Sequence, residues 1–67
     1  MRRYEYGFEM ASGGGFFNHA DSRILALVGA ARMRARYHDY LRSPDLLPTL
    51  RADILNGRAV VRRVHAR

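Results

Sequence analysis

The stretch ILALVGAARMRARYHDYLR, residues 24–42, decides the fold of this chain. It has the apolar periodicity of a helix and contains nothing that breaks one, since the single Gly29 is tolerated. The sequence predicts one long helix from about residues 19–20 to Arg42, with Asn18 as its N-cap. Because this helix is the largest predicted element, its faces determine what the rest of the chain must cover.

The apolar face of the predicted helix is unusually wide. At about 100° per residue, Gly29, Arg32, Arg36 and Asp39 fall in one narrow sector, and nearly all other positions are apolar. An ordinary surface helix buries a stripe a little over about 100° wide, and this arc is roughly twice that. One short helix and a small sheet do not cover such an arc, so we expect a second partner surface, most simply another copy of the chain. The alternative is that its many alanines stay exposed.

The segment before the helix has the period of a β-strand. Tyr4, Tyr6, Phe8 and Met10 alternate with charged residues and a glycine, which is typical of a strand with its aromatic side chains on the core face. The run SGGG at residues 12–15 predicts a flexible turn or hinge that ends this strand.

Two further elements are predicted after the long helix. The Ser-Pro pair at 43–44 ends that helix, and a turn over 44–47 leads to a second helix at Pro48–Leu55. The Asn-Gly pair at 56–57 ends the second helix, with one of the two in the left-handed conformation. The valine-containing segment Arg58–His65 then predicts a second strand.

Together these elements predict an α+β fold, a small single domain over residues 1–67 in the order strand, long helix, short helix, strand. A two-stranded sheet is marginal in water, and a chain of 67 residues without cysteine has no disulfide to stabilise it. We therefore expect a homo-oligomer, in which further copies of the chain complete the domain.

Positive charge is concentrated in the second half of the chain. The formal net charge is +6, and every basic residue other than histidine is an arginine. Residues 1–31 are neutral, whereas residues 32–67 hold nine arginines against three aspartates. Such asymmetry favours a basic face that meets an acidic partner, either nucleic acid or an acidic protein surface. A codon bias toward arginine is the other explanation of the missing lysine.

The arginines supply the candidate nucleic-acid site. Arg32 and Arg36 are one helical turn apart, and like charges at that spacing repel unless an anion lies between them. The predicted nucleic-acid-binding residues are Arg32, Arg36, Arg58, Arg62 and Arg63. No helix-turn-helix, zinc-finger or RNP pattern is present, so we expect phosphate contacts without strong sequence preference.

Apolar and aromatic residues supply a second candidate surface. Adjacent phenylalanines on one extended segment point to opposite sides, so one of the pair at 16–17 is expected to anchor the loop on the core and the other to meet a partner. The predicted partner-interface residues are Phe16, Phe17, Met33, Tyr37 and Tyr40. They favour the alternative function, a protein–protein interaction module such as a subunit of a larger assembly or a small phage-type inhibitor.

Catalysis and cofactor binding are not expected. His19, His38 and His65 are scattered and have no ligand spacing, so neither a metal site nor any other cofactor is predicted. No spacing supports a nucleophile and its base, and so short a chain has little room for a substrate pocket. No apolar run approaches the length of about 20 residues needed to span a bilayer. We therefore expect a cytoplasmic, non-enzymatic binding protein without a small-molecule substrate.

Overall fold

The computed structural model describes residues 2–65 and has an α+β fold, as the sequence predicts. In chain order the elements are β1 (Arg2–Glu9), β2 (Gly15–Ala20), α1 (Arg23–Tyr40), α2 (Pro48–Leu55) and β3 (Arg58–His65). The three strands form one antiparallel sheet in the order β2-β1-β3, so β1 is central and the other two are edge strands. The predicted element order was wrong at one point, because an additional strand precedes the long helix.

That additional strand, β2, pairs with β1 through a hairpin rather than following a hinge. The Met10 backbone N–H donates to the Gly14 carbonyl at 2.7 Å, and the Gly13 N–H donates back to the Met10 carbonyl at 2.9 Å. Gly13 has a φ of 96°, a conformation that residues with a side chain rarely adopt. Ser12 fixes the turn to α2, since its hydroxyl donates to Asp53 Oδ2 at 2.7 Å. The glycine run therefore makes a tethered turn.

The helix α1 begins later than the sequence predicted, because Ser22 and not Asn18 is its N-cap. Ser22 is extended, with φ −132° and ψ 154°, and its hydroxyl accepts the Leu25 backbone N–H at 3.2 Å. At the other end, the Arg51 guanidinium donates to the carbonyls of Leu41 and Ser43 at 2.7 and 3.2 Å. The first bond satisfies the carbonyl of the C-cap residue Leu41, and the second holds the turn that follows the helix.

The bounds predicted for α2 and β3 are confirmed. The apolar spacing of Leu46, Leu47, Leu50 and Ile54 predicts a buried stripe for α2, and this prediction was wrong for most of it. Ile54 is buried, whereas Leu47 is 65% exposed and Leu50 is also exposed. The predicted left-handed residue after α2 was wrong as well, since Asn56 has φ −97° and Gly57 is not in that conformation. A single turn of α2 therefore reaches the core.

The core is small and lies between α1 and one face of the sheet. Phe8, Ala26, Ala30 and Ile54 are its buried apolar residues. The Phe8 ring stacks on Tyr37 with centroids 4.8 Å apart, which joins β1 to α1. The helix packs mainly against β1 and β3 and makes few contacts with β2. Neither helix within residues 2–65 has the length and apolar character to cross a membrane.

Candidate functional site

Two grooves flank α1, one on each side. The first, called here the arginine groove, lies between α1 and β2 and consists of two adjoining hollows of about 250 and 260 Å³. Its lining residues are Tyr6, Phe16, Asn18, Gly29, Arg32, Met33, Arg36, Tyr37 and Tyr40. The groove exists because α1 sits over β1 and β3, which leaves the helix-facing side of β2 uncovered.

The arginine groove brings together residues from both predicted sets. Met33, Tyr37 and Tyr40 recur every three or four residues and so share one side of α1. Arg32 and Arg36 lie along the outer margin of the same side. Phe16 reaches the groove from β2, where it pairs with Phe8 and therefore points to the same sheet face.

Aromatic rings form a continuous path from the core to the surface of this groove. Tyr37 stacks on buried Phe8 and meets Tyr40 edge-on, with the two tyrosine centroids 5.9 Å apart. The outer members are accessible, since Phe16 is 61% exposed and Tyr40 is 49% exposed. The inner rings are thus held rigidly by packing while the outer rings present free surface.

The charges of Arg32 and Arg36 in this groove are not neutralised by carboxylates of the described residues. Among the described residues, the lining of the groove includes no carboxylate. The ion pairs shorter than 4.0 Å that residues 2–65 form involve neither Arg32 nor Arg36. Asp39, three residues after Arg36, is exposed and takes part in none of these pairs. The groove therefore combines two free cations with aromatic surface.

Arg62 and Phe17, both predicted to be functional, lie instead on the sheet face that points away from α1. Arg62 pairs with Glu9 at 2.9 Å and with Glu5 at 3.7 Å. Its guanidinium carbon lies 5.7 Å from the centroid of the Phe17 ring, which packs over Gly7 of the neighbouring strand. The prediction that one of the two phenylalanines anchors the loop on the core was therefore wrong, because Phe17 lies on the far sheet face and Phe16 is 61% exposed. The charge of Arg62 is already compensated by the two glutamates.

The remaining predicted arginines of β3 are separated from the arginine groove as well. Arg58 pairs with Glu9 in the strand register and so shares the sheet face of Arg62. Arg63 pairs with Tyr4 and shares the face toward α1, but on the edge opposite to β2. The five predicted arginines therefore do not form one surface: two lie in the groove and three on β3.

The second groove, called here the alanine groove, lies between α1 and β3 and has a volume of about 630 Å³. Its lining residues are Leu27, Ala30, Ala31, Arg34, Ala35, His38, Ala59 and Val61. Sequence reasoning found the apolar arc of the helix but missed the wall on β3. That wall follows from strand alternation, because Ala59 and Val61 point to the same face as Phe8 and Tyr6.

Neither groove has the composition of a metal centre. Within residues 2–65, no group of three or more histidine, aspartate or glutamate side chains is positioned to hold an ion. His65 was part of the scattered set predicted from the sequence, and its side chain lies outside the described residues.

Comparison with protein-family models, curated proteins and solved structures gives no match. The geometry of the two grooves therefore carries the functional argument.

Proposed function

We propose that this chain is a small non-enzymatic protein that binds nucleic acid through the arginine groove. The observation that carries the proposal is the juxtaposition of Arg32 and Arg36, without ion-pair partners among the described residues, with the exposed rings of Phe16 and Tyr40. The positive net charge of the chain, +6, provides attraction to a polyanion at longer range.

Phosphate groups satisfy the two arginines of the groove. A guanidinium presents a planar set of donors that matches a phosphate in two-point contact. Arg32 and Arg36 are one helical turn apart, about 6 Å along the axis, which is close to the spacing of consecutive phosphates in an extended strand. An anion held between them also removes their mutual repulsion. Phosphate binding thus stabilises an arrangement that is unfavourable in the free chain.

The exposed rings favour a single strand over a duplex. Bases of a single strand are unstacked and can lie against aromatic side chains, each contributing about 1–3 kcal/mol with little sequence preference. Phe16 and Tyr40 are on opposite walls of the groove, one on β2 and one on α1, so a base between them contacts both. We therefore expect binding to single-stranded DNA or RNA of mixed sequence.

The test is a titration of fluorescently labelled single-stranded oligonucleotides, with a duplex of equal length for comparison, over a range of salt concentrations. The double variant Arg32→Gln/Arg36→Gln should weaken binding to all sequences alike and reduce the slope of log affinity against log salt by about two. The matched control is Arg23→Gln/Arg42→Gln, which removes the same charge from exposed positions near the two ends of α1, outside the groove. No binding at about 100 mM salt, or equal losses from both double variants, contradicts the proposal.

A protein–protein interaction module is the second candidate. It is favoured by large apolar side chains left exposed on α1, such as Ile24 at 74% and Leu25 at 60%. An acidic protein surface is the partner that suits both these residues and the net charge. In that case Phe16→Ala should weaken partner binding more than the arginine double variant does. In either case a cytoplasmic protein is proposed, since the absence of cysteine from the sequence fits a reducing compartment.

A further inference from the structure

We infer that the alanine groove is the docking site of a second copy of this chain. In the dimer, β3 pairs antiparallel with β3 of the other copy about a two-fold axis, and the two α1 helices lie side by side on the same face of the six-stranded sheet. This inference is independent of nucleic-acid binding, because it uses the opposite flank of α1.

The exposed surface of the chain is larger than a compact monomer of its size should have. The accessible surface is 5228 Å², whereas the usual scaling with mass gives about 4,300 Å² for 7.7 kDa. The excess of roughly 900 Å² is close to the area of about 800 Å² that each partner buries in a standard interface. Burial of one standard interface would therefore bring the accessible surface close to the value usual for this mass.

The edge strand β3 is suited to pairing with itself in one register. If Val61 lies on the two-fold axis, Val60 faces Arg62 of the other copy and Ala59 faces Arg63, so no arginine lies directly opposite another. Moving the axis to Val60, Arg62 or Arg63 places arginines directly across from each other, which is destabilising. A shift of the pairing by a single residue is also excluded. It would place side chains of one sheet face opposite side chains of the other face.

The face of α1 that lines the alanine groove has small residues where a second helix would approach. Ala31 and Ala35, about one helical turn apart, line the groove and are exposed. The longer side chains of the same lining, Leu27, Arg34 and His38, border the two alanines. The alanines therefore allow a second helix to approach closely at this point.

The distances within the proposed dimer agree with one another. The strands that α1 contacts most are β1 and β3, so we place its axis above the boundary between them. Across the new β3 pair, the two helix axes are then separated by two strand spacings, or about 10 Å. Packed helices are separated by about 8–10 Å. Strand pairing and helix packing can therefore form at the same time.

The two-fold axis also falls opposite the middle of α1. Val61 pairs with Tyr6, and the Tyr6 ring lies directly against Gly29 of the helix. Ala31 is thus near the axis, and the two helices cross close to their midpoints. The flank toward β2 is less suited to a second copy, because it is lined by two arginines, Arg32 and Arg36, whereas the alanine groove is lined by one, Arg34.

Single-cysteine variants test the register, because the natural chain has no cysteine. Directly opposed residues in an antiparallel pair have Cα atoms about 4.5–5.5 Å apart, within reach of a disulfide. Val61→Cys should therefore form a disulfide-linked dimer quickly under mild oxidation. The matched control, Val60→Cys, lies diagonally across from its counterpart at about 7–8 Å and should crosslink much more slowly. Equal rates, or faster crosslinking at residue 60, would overturn the register.

The association itself is tested by light scattering during size-exclusion chromatography. The natural chain should have the mass of a dimer at micromolar concentration. Ala31→Glu/Ala35→Glu should shift it to monomer, while Ala52→Glu, the same change at an exposed alanine of α2, should leave the dimer intact. Circular dichroism verifies that each variant is folded. A monomeric natural chain, or dissociation by the control alone, overturns the inference.

Discussion

The two flanks of α1 differ sharply although they belong to one helix on one sheet. On the side of β2, the helix carries long groups, with Arg36 and Tyr40 among them, and the groove is charged and aromatic. On the side of β3, the lining of the groove combines Ala30, Ala31 and Ala35 with the longer Leu27, Arg34 and His38, and the groove is mostly apolar. The two flanks thus differ in their aromatic residues and in the number of their arginines, and the two different proposals made for them rest on this difference.

Both flanks are open for the same reason. One helix covers little more than two strands of a sheet, and α1 lies over β1 and β3. The third strand therefore has an uncovered face, and the free edge of β3 has no partner among the described strands.

The largest effect is expected from Phe8→Ala, which removes the support that both grooves share. Phe8 is fully buried and stacks on Tyr37 at 4.8 Å. Truncating a buried phenylalanine costs about 3–5 kcal/mol, which is much of the stability of an ordinary small domain. Thermal and urea denaturation should show the loss, and oligonucleotide binding and dimerisation should fail together.

The matched control for that variant is Phe16→Ala, which makes the same change on the same sheet face. Phe16 is 61% exposed, so the loss of stability should be small, well under that of Phe8→Ala. Binding of single strands should weaken while the dimer remains. Equal losses of stability at the two positions would contradict the assignment of Phe8 to the buried core and of Phe16 to the exposed lining of the groove.

The parts of the fold that could be predicted from the sequence are those with strong local signals. Pro48 fixes the start of α2, and Asn56-Gly57 separates it from β3, so both bounds were predicted correctly. The strand β2 was missed because it is short and lies at an edge with one face uncovered. Its alternation of apolar and polar residues is therefore weak, and the preceding glycines suggested a hinge instead of a hairpin.

The candidate site could be predicted where helical spacing determines it. Met33, Tyr37 and Tyr40 are neighbours on any helix through this region, so their grouping needed no tertiary information. The position of Phe16 in the arginine groove depends on the hairpin of β1 and β2, which was not predicted from the sequence. The location of Arg62 on the far sheet face depends on strand register, which a single sequence does not determine when no turn connects the two strands.

An intermediate effect on stability is expected from Ser22→Ala, which removes the N-cap of α1 and leaves the lining of the arginine groove unchanged. The Ser22 hydroxyl accepts the Leu25 N–H at 3.2 Å, and loss of an N-cap costs about 1 kcal/mol. Denaturation should show this loss. Asn18→Ala should have little effect on stability, since Asn18 lies in β2 and lines the arginine groove. If Asn18→Ala were the more destabilising of the two, the assignment of the cap to Ser22 would be wrong.

The smallest effect is expected from Arg62→Gln, which tests whether an arginine must be unpaired to bind phosphate. The Arg62 side chain is 52% exposed while it pairs with Glu9 and Glu5, and solvent-exposed ion pairs contribute about 0–1 kcal/mol to stability. The free energy of unfolding, measured by denaturation, should therefore change by less than about 1 kcal/mol. Arg62→Gln should lower oligonucleotide affinity only as much as the loss of one distant charge does. Arg36→Gln should lower it much more, because two carboxylates already occupy the donors of Arg62. Equal losses of affinity for these two single variants would show that the paired sheet face contacts the nucleic acid as closely as the arginine groove does.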